Sequence, residues 1–316
     1  MREAVTWNGM AERFRGRRVF VTGGTGFFGK SILSMVKRGF LPGTEFVLLS
    51  RDPERFARSV PDLAKLPNVR FVAGDVRSFA FPDERFDLVI HGAAPALTTL
   101  APGEHRSIIV EGSRRVLEFS RRCGAERILM ISSGAVYGPQ PPELERIPEE
   151  HPCRPVTEYG IAKLEAERMF LDSGVPTAAA RCFAFTGPYL DRDIHFAIGN
   201  FIRDALAGKA VVVNGDGTPL RSYLYADDLV EWHFSLSARP EEQLVCNVGS
   251  DRAVPILELA HTVCRALGKA APVKVLTPPV PGAVPARYVP DIGRAEALGL
   301  RVKVGLEEAI RRSAGV

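Results

Sequence analysis

The chain has 316 residues, with 41 Lys+Arg against 37 Asp+Glu, a formal charge of +4, and 46% hydrophobic and 25% charged residues. This is the mixture of a folded globular protein and excludes disorder, collagen and coiled coil. The length allows one large α/β domain, or such a domain with a smaller lobe, to bury a full core without metals or disulfides. Positive charge is spread along the chain apart from short runs such as 13–18, so no nucleic-acid stripe is expected, and a mildly basic balance suits anionic small ligands.

The five cysteines (Cys123, Cys153, Cys182, Cys246 and Cys264) lie far apart, with no CxxC and no zinc spacing, as expected of reduced thiols in a cytoplasm, and no metal site is expected. Residues 1–18 carry charges and no apolar run of signal-peptide length, and no later stretch reaches about 18 apolar residues, so neither export nor a membrane span is expected.

In chain order, short apolar runs at 19–22, 45–49, 69–73, 88–91, 127–132 and 176–182 predict strands, and apolar residues at helical spacing around 31–38, 108–123 and 159–172 predict helices between them. Alternating βα units imply a Rossmann-type, doubly wound parallel sheet. After Gly187-Pro188 shorter elements are punctuated by Pro and Gly. The expectation is a dinucleotide-binding domain over 1–187 and a smaller, mainly substrate-binding lobe over 188–316, with segments such as 244–247 returning to the large sheet.

The run Thr22-Gly23-Gly24-Thr25-Gly26-Phe27-Phe28-Gly29 follows the first strand and opens a helix. Glycines at 23 and 26 allow a tight turn and close approach to a pyrophosphate, Gly29 allows close helix–strand packing, and the helix N-terminus faces the phosphates. A glycine-rich turn that binds nothing is the plain alternative; the strand–loop–helix context favours the cofactor. The second strand ends in Ser50-Arg51 where an acidic residue would bind the ribose of NAD, leaving room and charge for the 2′-phosphate of NADP, unless Arg51 is a solvated surface charge. Asp75 and Val76 follow the third strand, at a position to contact adenine. Gly92, Ala93 and Ala94 follow the fourth, small enough for the chain to run beside a dinucleotide or simply to pack tightly.

Tyr159 and Lys163, at i,i+4, share one helix face, so the ammonium can lower the phenol pKa and make Tyr159 a general base. Ser133 follows a strand of the same sheet, at the edge where such sites lie, and can hydrogen-bond a reacting oxygen; otherwise it serves a loop backbone.

Together these residues resemble the extended short-chain dehydrogenase/reductases, the NAD(P)-dependent epimerase/dehydratase group acting on nucleotide sugars. The resemblance covers almost the whole chain: the glycine fingerprint at 22–29, Ser-Ser-x-x-Val-Tyr-Gly at 132–138, Tyr-x-x-x-Lys at 159–163, Arg181 to Pro188, the segment 215–229, Asn247 to Ser250, and Arg287-Tyr288 with Asp291. It implies Ser133, Tyr159 and Lys163 as the catalytic set, Arg221 and Arg287 on the substrate diphosphate, substrate contacts around Ala184, His195 and Asn200, and a homodimer through the helices near 108–122 and 159–172. Either arginine has the alternative of an inter-lobe ion pair, for instance with Asp227 or Asp228.

The departures carry information too. Where 4,6-dehydratases of the family place an acid and a base after the catalytic Ser/Thr, this chain has Gly134 and Ala135; where some 3,5-epimerases place a Cys, it again has Gly134. The family's Asn in Arg-x-Phe-Asn is Ala184, and the helical Asn before Gly-Thr is absent from Ile109-Val110-Glu111-Gly112-Ser113. The expected activity is hydride transfer at C4 of a nucleotide-diphosphate hexose with NADP, NAD being possible, in a 4-epimerase or a 4-ketoreductase. The alternatives are a 4,6-dehydratase drawing its acid and base from elsewhere, and a non-catalytic dinucleotide-binding regulator.

Overall fold

A computed structural model describes residues 7–95, 101, 103–194 and 196–316. Seven parallel strands form one sheet: β1 (Arg18–Thr22), β2 (Glu45–Ser50), β3 (Val69–Ala73), β4 (Leu88–His91), β5 (Arg127–Ser133), β6 (Thr177–Cys182) and β7 (Gln243–Val248), in the order β7-β6-β5-β4-β1-β2-β3. These strands read as near-continuous apolar runs because both faces are covered. Alternation divides them between two cores. Val19, Val21, Leu48, Ile90 and Ile131 face one, with α1 (Phe27–Lys37) among its walls; Phe20, Val47, Val89, Ile128 and Met130 face the other, walled by α2 (Gly112–Arg122) and α3 (Glu158–Leu171).

The chain leaves β1 towards β2 and β3, then returns across β1 to β4, so the strand order reverses between β1 and β4. In open α/β sheets the ligand crevice lies at the carboxyl ends of the strands at that switch. Thr22 and His91 end the two strands and are paired in register. His91 is fully buried, its Nδ1 2.7 Å from Thr22 Oγ1 and its Nε2 3.0 Å from Ser113 Oγ. Burial, helped by the nearby Lys163 charge, pushes the imidazole down to about 3, so it stays neutral.

β7 lies outside β6, and the helix Ala226–Ser237 packs Leu229, Val230, Trp232 and Phe234 into the first core, so residues beyond 187 contribute to the large sheet. A third, separate core is built on Ile198, Phe201, Val211, Leu259, Val263 and Ile310. Beside it Leu220–Arg221 is the middle strand of a three-stranded sheet, between Val254–Pro255 and Arg287–Tyr288.

The segment 143–150, although rich in acidic residues, is partly threaded inward. Ile147 is fully buried, its N–H donates to the Val289 carbonyl at 2.9 Å, and the buried Glu149 carboxylate accepts from Asn247 N–H. Among the described residues no helix is long and apolar enough to cross a membrane, and no cluster of three or more His, Cys, Asp or Glu is placed to hold a metal ion.

Candidate active site

The glycine loop closes on neighbours that leave no room for side chains. Gly23 has φ +72°, and a Cβ there would lie 2.6 Å from the Gly92 carbonyl oxygen; a Cβ on Gly29 would run into the Gly24 carbonyl. Gly26 is the exposed N-cap of α1, and no side chain caps that helix end, so its first N–H groups face the crevice. Thr25 is half-buried beside it. Phe27 and Phe28 form an aromatic group with Phe185, with ring centroids 5.6–6.4 Å apart. Across the crevice Ala93 N–H donates to Thr22 Oγ1 at 3.3 Å, and Gly92, Ala93 and Ala94 are half-buried. This cradle fits a dinucleotide pyrophosphate.

At the end of β2, Ser50 is buried and its hydroxyl accepts from Asp52 N–H, while Arg51 is exposed. Asp52, the first acidic residue after the strand, caps the helix Pro53–Ser59 by accepting from Arg55 N–H at 2.8 Å. Asp75 is held by Arg77, which donates from Nε at 2.8 Å, and that pairing lowers the carboxyl pKa. Val76 turns its side chain into the second core, against the position where Gly112 lacks one, so only its backbone can face a ligand.

Ser133, Tyr159 and Lys163 converge where β5 ends. Ser133 caps the 3₁₀ turn Gly134–Tyr137 by accepting from Ala135 N–H at 3.1 Å. Thr157 caps α3 at Gly160 N–H, fixing the start of the helix that carries the other two. Behind α3, Glu167 and Arg181 form a buried ion pair at 2.6 Å, and Arg181 also donates to Tyr137 Oη.

The ammonium of Lys163 donates to the Ile131 carbonyl at 2.9 Å and lies 5.9 Å from the Tyr159 ring centre. Burial dominates both groups: it pushes Tyr159 up to about 12, opposed by hydrogen bonding with Ser133, and Lys163 down to about 8. The spacing argument, in which the ammonium lowers the phenol pKa, is thus reversed in this geometry. The lysine donates to a carbonyl of β5, and desolvation of the phenol is the largest influence on its pKa.

One residue at the site was missed by reasoning from catalytic motifs. A Cβ at residue 134 would lie 2.6 Å from Tyr288 Oη and 2.9 Å from the Phe183 ring. The phenol of Tyr288 therefore fills the room beside Ser133 where the sequence shows only a glycine. Its signal was present in Arg287-Tyr288-x-x-Asp291, but nothing local links 288 to 134.

The model of the NAD dependent epimerase/dehydratase family matches residues 19–249. The chain belongs to that family. It is an enzyme of the extended short-chain dehydrogenase/reductase type. The chain is 30% identical to UDP-glucose 4-epimerase of Streptomyces lividans over 89% of its length and 90% of the relative, and 29% identical to UDP-glucuronic acid decarboxylase 6 of Arabidopsis thaliana over 93% and 86%. Among solved structures it resembles MoeE5 in complex with UDP-glucose and NAD, with a TM-score of 0.78 and 26% identity over 94% of this chain and 97% of that one. A nicotinamide dinucleotide and a nucleotide sugar are thus the cofactor and substrate classes of this epimerase/dehydratase enzyme.

Its substrate-side residues are placed unevenly. Arg221 is half-buried, donates to the Leu220 carbonyl at 2.8 Å, and has no carboxylate partner among the described residues. The acids considered as alternatives are engaged elsewhere, Asp227 with Arg38 and Asp228 with the N–H groups of Lys303 and Val304. Register pairs Arg221 with Tyr288 and Leu220 with Arg287. Since adjacent side chains on a strand point to opposite faces, Arg221 shares a face with Tyr288, and Arg287 goes to the other with Leu220. Arg287 keeps a buried Nε without a partner, and so does Asn200 with its Oδ1. Ala184 is half-buried, its carbonyl accepting from Leu224 N–H. His195 lies outside the described residues. In the helix entry where the family's Asn is absent, Glu111 pairs with Arg114 and Ser113 holds His91.

Proposed function

We propose that the enzyme transfers hydride at C4 of a nucleotide-diphosphate hexose, as a 4-epimerase or a 4-ketoreductase. A nicotinamide dinucleotide bound in the glycine cradle supplies the hydride acceptor and donor. Tyr159 takes or returns the proton of the 4-oxygen, Ser133 holds that oxygen, Lys163 provides positive charge behind the phenol, and Arg221 receives the diphosphate. The observation that carries the C4 reading is the filled space at Gly134. Tyr288 and Phe183 occupy the place that a side chain at residue 134 would take, so no acid stands directly after Ser133 to serve dehydration.

The lobe beyond 187 supplies the sugar nucleotide side, with Asn200 Oδ1 as an acceptor awaiting a donor. NADP is favoured over NAD because residue 50 is a serine and Asp52 is turned to a helix cap beside exposed Arg51. Dimerisation through α2 and α3 is favoured by exposed Ile161, 48% accessible on α3, beside a charged α2 face of Arg114, Glu118 and Arg121. Sedimentation at the mass of one protomer overturns that part.

The test is Tyr159→Phe, assayed by proton NMR on UDP- and dTDP-hexoses. Turnover falls by about 10²–10⁴-fold, the range of general acid–base catalysis, while dinucleotide binding is retained. Unchanged turnover refutes the assignment. Arg51→Ala weakens NADP by about tenfold, the loss of one charged contact, and NAD hardly at all; equal effects rule out the 2′-phosphate role.

A further inference from the structure

Ser133 has one proton and two acceptor positions. Ala135 N–H uses one acceptor position at 3.1 Å. Whatever donates to the second decides where the serine proton points, and the proton is useful only if it points at the reacting oxygen. Tyr288 Oη sits against the same turn, 2.6 Å from the position of a Cβ on Gly134. Its ring packs at a tilt of 36° against Phe183, with centroids 4.7 Å apart. Its strand is pinned on the next residue: Val289 N–H donates to Gln140 Oε1 at 3.0 Å, and the Val289 carbonyl accepts from Ile147 N–H at 2.9 Å. The phenol is thus held from two sides before any substrate arrives.

We propose that Tyr288 is a positioning residue for Ser133: its hydroxyl, seated in the space that Gly134 leaves open, donates to the serine oxygen and directs the serine proton towards Tyr159 and the 4-oxygen. Burial raises the Tyr288 pKa above its ordinary value, so the phenol keeps its proton at working pH. This gives Gly134 a second reason besides the missing acid: any side chain there displaces the phenol that orders the serine. The inference rests on the C4 reading above.

The variant is Tyr288→Phe, which keeps the ring and its packing, assayed as the full chain on UDP-hexoses. The rate constant kcat falls by roughly tenfold, the scale of one hydrogen bond, with KM and Tm nearly unchanged. The acid limb of the pH profile moves to higher pH, because a misdirected serine no longer steadies the Tyr159 phenolate. In a Ser133→Ala background the same change costs less than about twofold, since the two residues act as a unit. A full tenfold loss in that background, a rise in KM at constant kcat, or an unmoved kcat and acid limb each overturns the proposal.

Gly134→Ala crowds the phenol from the other side and reproduces the kcat loss and the pH shift; it serves if Tyr288→Phe does not fold. Carbon-13 tyrosine labelling reads the coupling without turnover, as a Tyr159 titration displaced to higher pH in Tyr288→Phe. An active Tyr159→Phe brings down the hydride reading itself, whereas an inactive Tyr159→Phe beside a fully active Tyr288→Phe brings down only this inference.

Discussion

Residues 22–29 come from one strand, one turn and the start of one helix, whereas the surroundings of Ser133 come from residues 133–137, 159–163, 183, 221 and 288. The first region is specified by crowding: Gly23 and Gly29 sit where a Cβ meets a backbone carbonyl. The second is specified by long-range pairing, in which the register of Leu220–Arg221 with Arg287–Tyr288 decides which side chains face the serine. A local device is written in consecutive letters; an assembled one depends on tertiary contacts, and its members carry little meaning until those contacts are known.

Substitutions that separate the two plans differ in size. Gly23→Ala is expected to act most strongly, because its left-handed φ costs about 1–2 kcal/mol and the Gly92 carbonyl stands in the way. Calorimetry with either dinucleotide then shows no binding, and binding equal to that of the parent chain contradicts the cradle. Arg221→Ala leaves the cradle intact and acts on the assembled side, raising KM for the nucleotide sugar by about 10–100-fold with little change in kcat, as expected of a charge-assisted contact. A loss confined to kcat removes Arg221 from the diphosphate role.

The smallest effect at neutral pH is that of His233→Leu, beneath both regions. His233 is fully buried with an unpartnered Nδ1, and burial lowers its pKa to about 3. Between about 3 and the ordinary value of 6.5 the unfolded chain binds the proton that the folded chain refuses, so stability present above 6.5 is lost as pH falls through this window. The leucine variant flattens that slope in urea titrations at pH 4 and 6, and an unchanged slope denies the buried neutral imidazole.

The parallel sheet was legible because its strands are apolar on both faces and separated by helical periodicity. The boundaries at 18–22, 69–73 and 88–91 differ from expectation by a residue at most. The glycine cradle and the convergence of Ser133 with Tyr159 and Lys163 were legible for a related reason, since each rests on strand ends or on one helix turn. The two-residue strands were not, because segments as short as 220–221 and 287–288 carry no periodicity. Their register sets Tyr288 opposite Arg221, and the fold brings the Tyr288 phenol to Gly134. The burial of Ile147 and Glu149 was hidden by the charges around them. The upward shift of Tyr159 was hidden because i,i+4 spacing says which residues share a helix face and nothing about which carbonyl the lysine meets.

The central claim is that chemistry is confined to C4. It is tested most directly by incubating the full chain, supplied with NADP or NAD, with UDP- and dTDP-hexoses carrying deuterium at C4, and reading products and dinucleotide by mass spectrometry and NMR. The account predicts deuterium passing through the dinucleotide, with inversion at C4 or a 4-keto sugar as the only change to the hexose. Loss of water across C5 and C6, or of carbon dioxide from a uronic acid analogue, would contradict it.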